Sequence, residues 1–270
     1  MVKVPHVWGV LNLTPDSFSD GGLYLDHATA LHRAQEMVAQ GAVVIDVGGE
    51  STRPGASKIS ATEEQDRVVP VIEALVSEGI TVSVDTMNAS TAKIAIEAGV
   101  QIINDVSAGV GDPEMLDLIA SSSVDYVMMH KRGDSTSMDG LAHYDSVVDE
   151  VIDELKTVVD NAHRAGIAAE RIIVDPGLGF AKNPAHNWEI LNGLDRIVGL
   201  GYRVLLGASR KRFLGELLPS GHETTERDAV TATLGALLAG SGVWALRVHN
   251  VEAQRQALSV WQAIHQGRVA

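Results

Sequence analysis

Short apolar runs alternate with amphipathic stretches along the whole chain. The apolar runs are rich in valine and isoleucine and carry almost no charge, which is typical of parallel strands covered on both faces. Eight strands are predicted on this basis: Val7–Leu13, Val43–Val47, Thr81–Val84, Gln101–Asn104, Tyr126–His130, Ile172–Asp175, Val204–Leu206 and Ala245–Val248. The stretches between them have the periodicity of helices that bury one face.

Residues that favour helix starts precede several of the amphipathic stretches. The predicted starts are Asp26, a capping box at Ser60–Glu63, Asp112-Pro113, Asp145, Asn183-Pro184 and Asn250. The uncharged segment 229–246 could suggest a membrane span. Because Gly240-Ser241-Gly242 interrupts it, we interpret it as a buried helix followed by a buried strand.

Eight strand–helix units fill the 270 residues without a linker or a low-complexity tract. This pattern predicts an α/β fold with a single domain over residues 1–270, namely a (β/α)8 TIM barrel. A doubly wound open sheet is the alternative, but it needs a topological switch point that the pattern does not mark.

Composition narrows the possible partners. The chain has 21 lysines and arginines against 35 acids, a net charge of −14, so a non-specific nucleic-acid binder is disfavoured. A small anion in a local basic pocket remains compatible with this charge. The chain has no cysteine, which excludes disulfides, zinc–thiolate sites and thiol catalysis. With no membrane span and no apolar signal-peptide core expected, we predict a cytoplasmic protein.

Nearly every predicted strand ends in or beside a residue that can bind a ligand or ionise. In a barrel of this kind the active site lies at the carboxyl ends of the strands, so these side chains are expected to converge. Helix caps at individual positions are the alternative explanation. The residues are Asn12, Asp46, Asp85, Asn104, Asp105, Met128, His130, Asp175, the segment Ser209–Arg212, Arg247 and His249.

Charge is unevenly distributed among these positions. The acids follow strands 2 to 6, and the cations follow strands 7 and 8, where barrels of this type often bind phosphate. Arg247 and His249 are two residues apart and are expected to point the same way, although Arg247 could instead pair with a barrel acid. Lys211 could form a Schiff base, donate to a carbonyl oxygen or be solvated, with Arg210 and Arg212 lowering its pKa.

Buried aspartates can accept hydrogen bonds from adjacent N–H groups such as those of an aminopyrimidinone ring. The sequence therefore favours a nitrogen heterocycle that carries phosphate, with a metal ion bound among the acids as the alternative. Three segments rich in glycine and proline are expected to border the site: 14–22, 48–56 and 175–182.

Seven motifs occur in order along the chain: Gly9–Gly22, Ile45–Gly55, Val84–Thr86, Ile103–Ser107, Asp175–Phe180, Gly207–Phe213 and Arg247–His249. Through them the chain resembles bacterial dihydropteroate synthases, and actinobacterial members in particular. The resemblance implies a (β/α)8 barrel, usually a homodimer. It also implies that 6-hydroxymethyl-7,8-dihydropterin pyrophosphate reacts with p-aminobenzoate to give dihydropteroate and pyrophosphate, and that sulfonamides inhibit by imitating p-aminobenzoate.

The resemblance also implies roles for individual residues. The pterin ring is expected to be held by Asp85, Asn104, Asp175 and Lys211, with Asp46, Met128, Phe180 and Gly207 around it. Pyrophosphate and Mg2+ are expected at Asn12, Arg247 and His249. Phe18, Thr52, Arg53, Pro54, Ser209 and Lys211 are expected around p-aminobenzoate, with Asp20 ordering the first loop.

A dissociative substitution fits these expected roles, with Asp85, Lys211, Arg247 and His249 as the catalytic groups. The chain departs from the family at Asn250, where Asp is common, and at Ala108, where Gly is common. Alternative functions are a catalytically altered pterin-binding paralogue without synthase activity, a corrinoid-dependent methyltransferase and a Schiff-base aldolase.

Overall fold

Parallel strands form a closed barrel in chain order, with neighbouring strands hydrogen-bonded from β1 to β8 and β1 paired with β8. The computed structural model describes residues 4–14, 23–51, 58–134 and 137–266. The strands are β1 His6–Asn12, β2 Val44–Gly48, β3 Val82–Asp85, β4 Ile102–Asp105, β5 Asp125–Met129, β6 Ile172–Asp175, β7 Arg203–Leu206 and β8 Ala245–Val248. The (β/α)8 prediction is confirmed, and each strand lies within one residue of its predicted bounds.

Helices follow the strands and surround the barrel. Within the described ranges they are α1 Leu23–Ala39, α2 Ala61–Ser77, α3 Ala89–Glu97, α4 Met115–Ser121, α5 Val147–Arg164, α6 Pro184–Asn192, α7 Leu194–Val198, α8 Arg212–Gly215, α9 Arg227–Leu237 and α10 Val251–Gln266. The segment 229–246 is part of α9 followed by β8, as predicted. No helix in the described ranges is long and apolar enough to cross a membrane.

The two faces of the barrel wall form separate apolar layers. Trp8, Val44, Ile102, Val127, Ile173, Leu205 and Ala245 form a cluster inside the barrel. Their neighbours on the strands point outward and pack with the helices in the larger core. Because side chains alternate along a strand, residues two positions further along point inward at the carboxyl end. The packed inner cluster therefore lies directly beneath the inward-facing side chains at the carboxyl end of the barrel.

Three of the predicted helix starts are confirmed. The Ser60 side chain accepts from the Glu63 N–H at 3.1 Å. Asn183 and His186 form a reciprocal capping box with Pro184 at the first helical position. The Asn250 side chain accepts from the Ala253 N–H at 3.0 Å at the start of α10.

The other three predicted starts are wrong by a few residues. Helix α1 begins at Leu23, before Asp26, and Ser146 rather than Asp145 is the N-cap of α5. Asp112 Oδ1 accepts from the Glu114 N–H at 3.0 Å, but α4 begins only at Met115, and Asp112 Oδ2 accepts from the Ala89 N–H of α3 at 2.9 Å. A side chain near the start of one helix can also accept from the first N–H groups of another helix that lies beside it. The spacing of residues along the chain does not reveal such a contact.

The two departures from the family pattern have structural consequences. Ala108 is buried with φ of 52°, a conformation that costs a non-glycine residue about 1 kcal/mol. The Asn250 side chain donates to Asp228 Oδ2 at 3.2 Å. An aspartate in its place would put two carboxylates together, so the amide suits this neighbour.

Candidate active site

The carboxyl end of the barrel is lined by polar side chains that strand alternation turns inward. Asp46 and Gly48 follow the inward-facing Val44 on β2, and strand register pairs Gly48 with Asp85 and with Asn12. The same alternation places inward Asn104, Asp175, Gly207 and Arg247. The structure therefore brings together, at one end, groups that are separated by up to 235 positions in the chain (247 − 12).

Arg247 joins two of the acids. Its Nε donates to Asp46 Oδ2 at 2.5 Å, and its Nη2 donates to Asp85 Oδ2 at 2.9 Å. Asn104 Nδ2 donates to the same Asp46 oxygen at 3.1 Å. The pairing of Arg247 with barrel acids, which was the alternative to a phosphate site, is thus present in this structure.

Burial makes ionisation of Asp85 costly. Burial raises the pKa of Asp85 to about 7, with Asp46 and Glu64 adding repulsion and Arg247 opposing the shift. Asp46 is fully buried, and its Oδ1 has no hydrogen-bond partner among the described residues. An unpaired buried carboxylate oxygen is available to a ligand N–H group.

A second cluster forms around Asp175 on β6. Asp175 Oδ1 accepts from the Gly177 N–H at 2.7 Å. A Cβ atom added at Gly207 would stand 3.5 Å from Asp175 Oδ2, so glycine keeps the space beside the carboxylate open. Lys211 donates to the Leu178 carbonyl, and its Nζ lies 4.5 Å from the centre of the Phe180 ring.

Lys211 has a lowered pKa, as predicted, but the expected cause is wrong. Burial lowers its pKa to about 8, Asp175 opposes the shift, and Arg247 adds repulsion. The neighbouring Arg210 instead pairs with Asp228 at 2.7 Å. An ammonium group with this pKa is a hydrogen-bond donor at neutral pH that loses its proton at mildly alkaline pH.

His249 and Asn12 occupy the β8–β1–β2 side. The Ser209 Oγ lies 3.0 Å from His249 Nδ1 and 3.1 Å from the His249 N. A Cβ atom at Gly48 would be 3.8 Å from Asn12 Oδ1 and 4.0 Å from Asp85 Oδ2. These two oxygens therefore flank a glycine that leaves room between them.

The placement of Met128 at this end is wrong. Met128 pairs in register with Val174 and belongs to the outer, helix-facing core, whereas Met129 pairs with the inward-facing Asp175. A shift of one residue along a strand moves a side chain to the opposite face. Because both residues are methionine, the residue type does not show which of them faces the site. Val127 faces inward, so Met129, two residues further along β5, faces inward as well.

Two other strand-end residues do not line the mouth. Asp105 accepts from the Ser107 N–H at 2.7 Å and from the Tyr126 hydroxyl at 2.6 Å, and so orders the loop after β4. His130 is buried between Lys182 and Glu154. The predicted residues Phe18, Asp20, Thr52, Arg53 and Pro54 lie outside the described residues.

Sequence patterns missed Glu64, which organises the loop after β3. This buried acid accepts from Thr86 Oγ1, Asn88 Nδ2 and Thr91 Oγ1 at 3.0, 2.8 and 2.6 Å through its Oε2 atom. Its place in the first turn of α2 is that of an ordinary helix-start acid, so no local signal distinguishes it. In the part of the chain that the structure describes, no three histidines or acids are grouped to hold a metal ion.

Comparison with known proteins gives consistent matches over almost the whole chain. The model of the family described as pterin binding enzyme matches residues 8–249. A dihydropteroate synthase of Mycobacterium leprae is 47% identical over 268 residues, covering 97% of this chain and 94% of the relative.

Solved structures agree with these matches. Dihydropteroate synthase from Xanthomonas albilineans in complex with 7,8-dihydropteroate superimposes with a TM-score of 0.87 at 39% identity, covering 98% of this chain and 95% of that one. The Yersinia pestis enzyme in a sulfonamide drug complex superimposes with a TM-score of 0.91 at 36% identity, covering 97% and 95%.

Proposed function

The chain belongs to the family of pterin binding enzymes, and we infer that it catalyses the dihydropteroate synthase reaction of folate biosynthesis. In this reaction p-aminobenzoate displaces pyrophosphate from 6-hydroxymethyl-7,8-dihydropterin pyrophosphate. The observation that carries this conclusion is the convergence of Asp85, Asn104, Asp175 and Lys211 at one end of the barrel, in a chain that is similar to such synthases over 97% of its length.

The pterin ring suits the acid and amide groups. Asp175 and the unpaired Oδ1 of Asp46 can accept from ring N–H and amino groups, while Asn104 both donates and accepts. Lys211 can donate to a ring nitrogen or carbonyl oxygen. Gly207 and Phe180 bound the space beside Asp175 and Lys211. Met129 takes the place beside the ring that was expected of Met128.

Pyrophosphate suits the β8–β1 side. Arg247 offers a planar guanidinium for phosphate oxygens, which requires it to exchange at least one acid partner for the substrate. His249 lies two residues further on the same inward-facing side. Together they would stabilise the negative charge that develops on the leaving group.

The oxygens near Gly48 fit Mg2+. Magnesium prefers oxygen ligands and commonly takes one or two from the protein with the rest from substrate phosphates and water. Asn12 Oδ1 would hold it, with the Asp85 carboxylate nearby. When bound, the ion would neutralise pyrophosphate charge and so favour its departure.

The proposed chemistry is dissociative. The bond between the pterin methylene carbon and the pyrophosphate oxygen breaks first, and the leaving group takes the electron pair. Asp85 stabilises the resulting delocalised cation electrostatically. The neutral amino nitrogen of p-aminobenzoate then bonds to the methylene carbon and releases a proton to water. No strong general base is needed.

By its family membership we also propose a p-aminobenzoate site at Ser209 and Lys211, with Phe18, Asp20, Thr52, Arg53 and Pro54 contributing to it. A sulfonamide would compete there. A homodimer and a cytoplasmic location are further proposals. A paralogue without synthase activity is not favoured, because the described site keeps the acids, Lys211 and Arg247.

Turnover tests the proposal directly. Purified protein is given the dihydropterin pyrophosphate, p-aminobenzoate and magnesium, and dihydropteroate is followed by chromatography. We expect product formation that EDTA abolishes and that a sulfonamide inhibits competitively against p-aminobenzoate. Pterin binding without product would refute the synthase assignment, and unchanged turnover in EDTA would refute the magnesium role.

A further inference from the structure

A buried lysine lies behind the loop that follows β6. Lys182 is 7% exposed, and its Nζ lies 3.0 Å from the Gly177 carbonyl oxygen and 2.9 Å from that of Phe180. A third contact joins Nζ to His130 Nδ1 at 2.8 Å. A lysine ammonium has three N–H donors, so every donor has an acceptor here.

His130 and Glu154 complete this arrangement. His130 Nε2 lies 3.0 Å from Glu154 Oε2, and Arg132 Nε donates to Glu154 at 3.0 Å. Since Nδ1 accepts from Lys182, the ring proton is on Nε2 and is donated to the carboxylate. Burial and the neighbouring Lys182 lower the pKa of His130 to about 4, which keeps the ring neutral.

The loop has one residue in a disfavoured backbone conformation, Ala181. Gly177, Gly179 and Ala181 alternate along it with φ of 67°, 76° and 50°. Ala181 has a Cβ atom and therefore disfavours this conformation. A Cβ atom at Gly177 would stand 1.9 Å from the His130 carbonyl oxygen, so the loop also passes very close to the end of β5.

The same loop holds two pterin groups in place. The Gly177 N–H bonds to Asp175, and the Leu178 carbonyl accepts from Lys211. Each of the carbonyls bound by Lys182 lies within two residues of Leu178. Lys182 is thus connected through one short stretch of backbone to both of these ligand-facing side chains.

We propose that Lys182 is a positioning residue for the pterin subsite, acting through the loop on Asp175 and Lys211, with His130 and Glu154 holding Lys182 in place. The identification of the ligand as a pterin rests on the proposed function. The support that Lys182 gives to the loop does not depend on that function.

Arg171 provides a matched control. It immediately precedes β6, at the opposite end from the loop, and donates to the Val124 and Ile119 carbonyls at 2.9 and 2.6 Å. Lys182→Met and Arg171→Met therefore each remove a side chain that donates to two backbone carbonyls. Only the first removes one beside the site. Glu154→Gln is a milder change within the same arrangement.

Amide hydrogen exchange of the peptide that covers 176–183 tests the loop without any substrate. We expect faster exchange there in Lys182→Met and, to a smaller extent, in Glu154→Gln, with wild-type exchange in Arg171→Met. Unchanged exchange in both loop variants would overturn the positioning role. If Lys182→Met fails to fold, Glu154→Gln decides the outcome.

Calorimetric binding of the dihydropterin pyrophosphate tests the effect on the ligand. We expect the Kd to be about tenfold larger in Lys182→Met than in the wild type, and unchanged in Arg171→Met. Lys182 acts in part through Lys211. Lys182→Met should therefore weaken binding of the dihydropterin pyrophosphate less in a Lys211→Met background than in the wild type.

Full additivity, or an equal rise in Kd in Arg171→Met, would overturn the inference and indicate general destabilisation. Wild-type protein that binds no pterin pyrophosphate would instead refute the proposed function and leave the exchange result to decide the positioning role.

Discussion

Arg247 and Asp85 are 162 positions apart in the chain, yet the Nη2 of one lies 2.9 Å from the Oδ2 of the other at the mouth of the barrel. The pair places a fixed cation beside a carboxylate that is costly to ionise. The contact joins residues with two different proposed roles. Asp85 binds the pterin, and Arg247 binds the pyrophosphate that leaves it.

Replacing Arg247 by alanine should weaken both fold and activity. The change leaves the Asp46 and Asp85 carboxylates without their cation, so we expect the free energy of unfolding to fall by about 3 kcal/mol. We expect kcat to fall about 100-fold, because developing pyrophosphate charge loses a donor. Denaturant titration and steady-state kinetics measure the two effects.

Arg203→Ala is the control for that change. Arg203 lies at the amino-terminal end of β7 and pairs with Asp125 at 2.7 Å. The Arg203→Ala variant should be less stable than the wild type, with little change in kcat. Equal kcat losses in the two variants would contradict the role given to Arg247.

The pH dependence of kcat/KM for the dihydropterin pyrophosphate should be bell-shaped. Activity requires Asp85 ionised and Lys211 protonated, and their pKa values are about 7 and about 8. The rate should therefore fall as the pH drops below 7 and again as it rises above 8.

Lys211→Met should lose the alkaline limb along with most pterin affinity. The exposed Lys156, paired with Asp153 on α5, provides the control. Lys156→Met should keep both limbs. An alkaline limb that persists in Lys211→Met would assign that limb to another group.

Asp85→Asn should be inactive and yet at least as stable as the wild type at pH 8. The folded-state pKa of about 7 is above the ordinary 3.8, so between these values the folded protein holds a proton that the unfolded chain has released. Stability contributed by this group is therefore lost as the pH rises through 7. The amide removes that loss, and thermal unfolding at pH 6 and pH 8 measures it. A large drop in Tm at pH 8 would contradict this electrostatic account.

The two methionines of β5 test which face of the strand meets the pterin. Met129→Ala should raise the KM for the pterin substrate about tenfold, because it removes an apolar contact from the site face. Met128→Ala should leave that KM unchanged while lowering the free energy of unfolding by about 2–5 kcal/mol, because it opens a cavity in the outer core. The reverse pattern would restore Met128 to the site.

Sequence patterns predicted the barrel because strand and helix periodicities are local properties. They also placed Asp85, Asn104, Asp175 and Arg247 at one end, since every parallel strand of a barrel ends there. Register and side-chain pairing were harder to predict. Met128 and Met129 differ only in the face of the strand, and Asp112 caps a helix that precedes it in the chain.

Contacts between distant segments explain the remaining differences. The Lys182–His130 contact joins residues 52 positions apart, and Glu64 bonds to three side chains 22 to 27 positions away. Neither Lys182 nor Glu64 is marked by the strand or helix periodicity of the sequence. Likewise, the pKa of Lys211 is lowered by burial and by Arg247, which is distant in the chain, rather than by the neighbouring arginines.

The most direct test of the central claim compares dihydropteroate formation by wild type, Asp85→Asn and Asp125→Asn at the same pH and substrate concentrations. Asp125 pairs with Arg203 at the opposite end of the barrel, so its variant controls for loss of a barrel ion pair. The account predicts product from the wild type and Asp125→Asn, and a rate at least about 100-fold lower from Asp85→Asn. Equal rates from the two variants would contradict it.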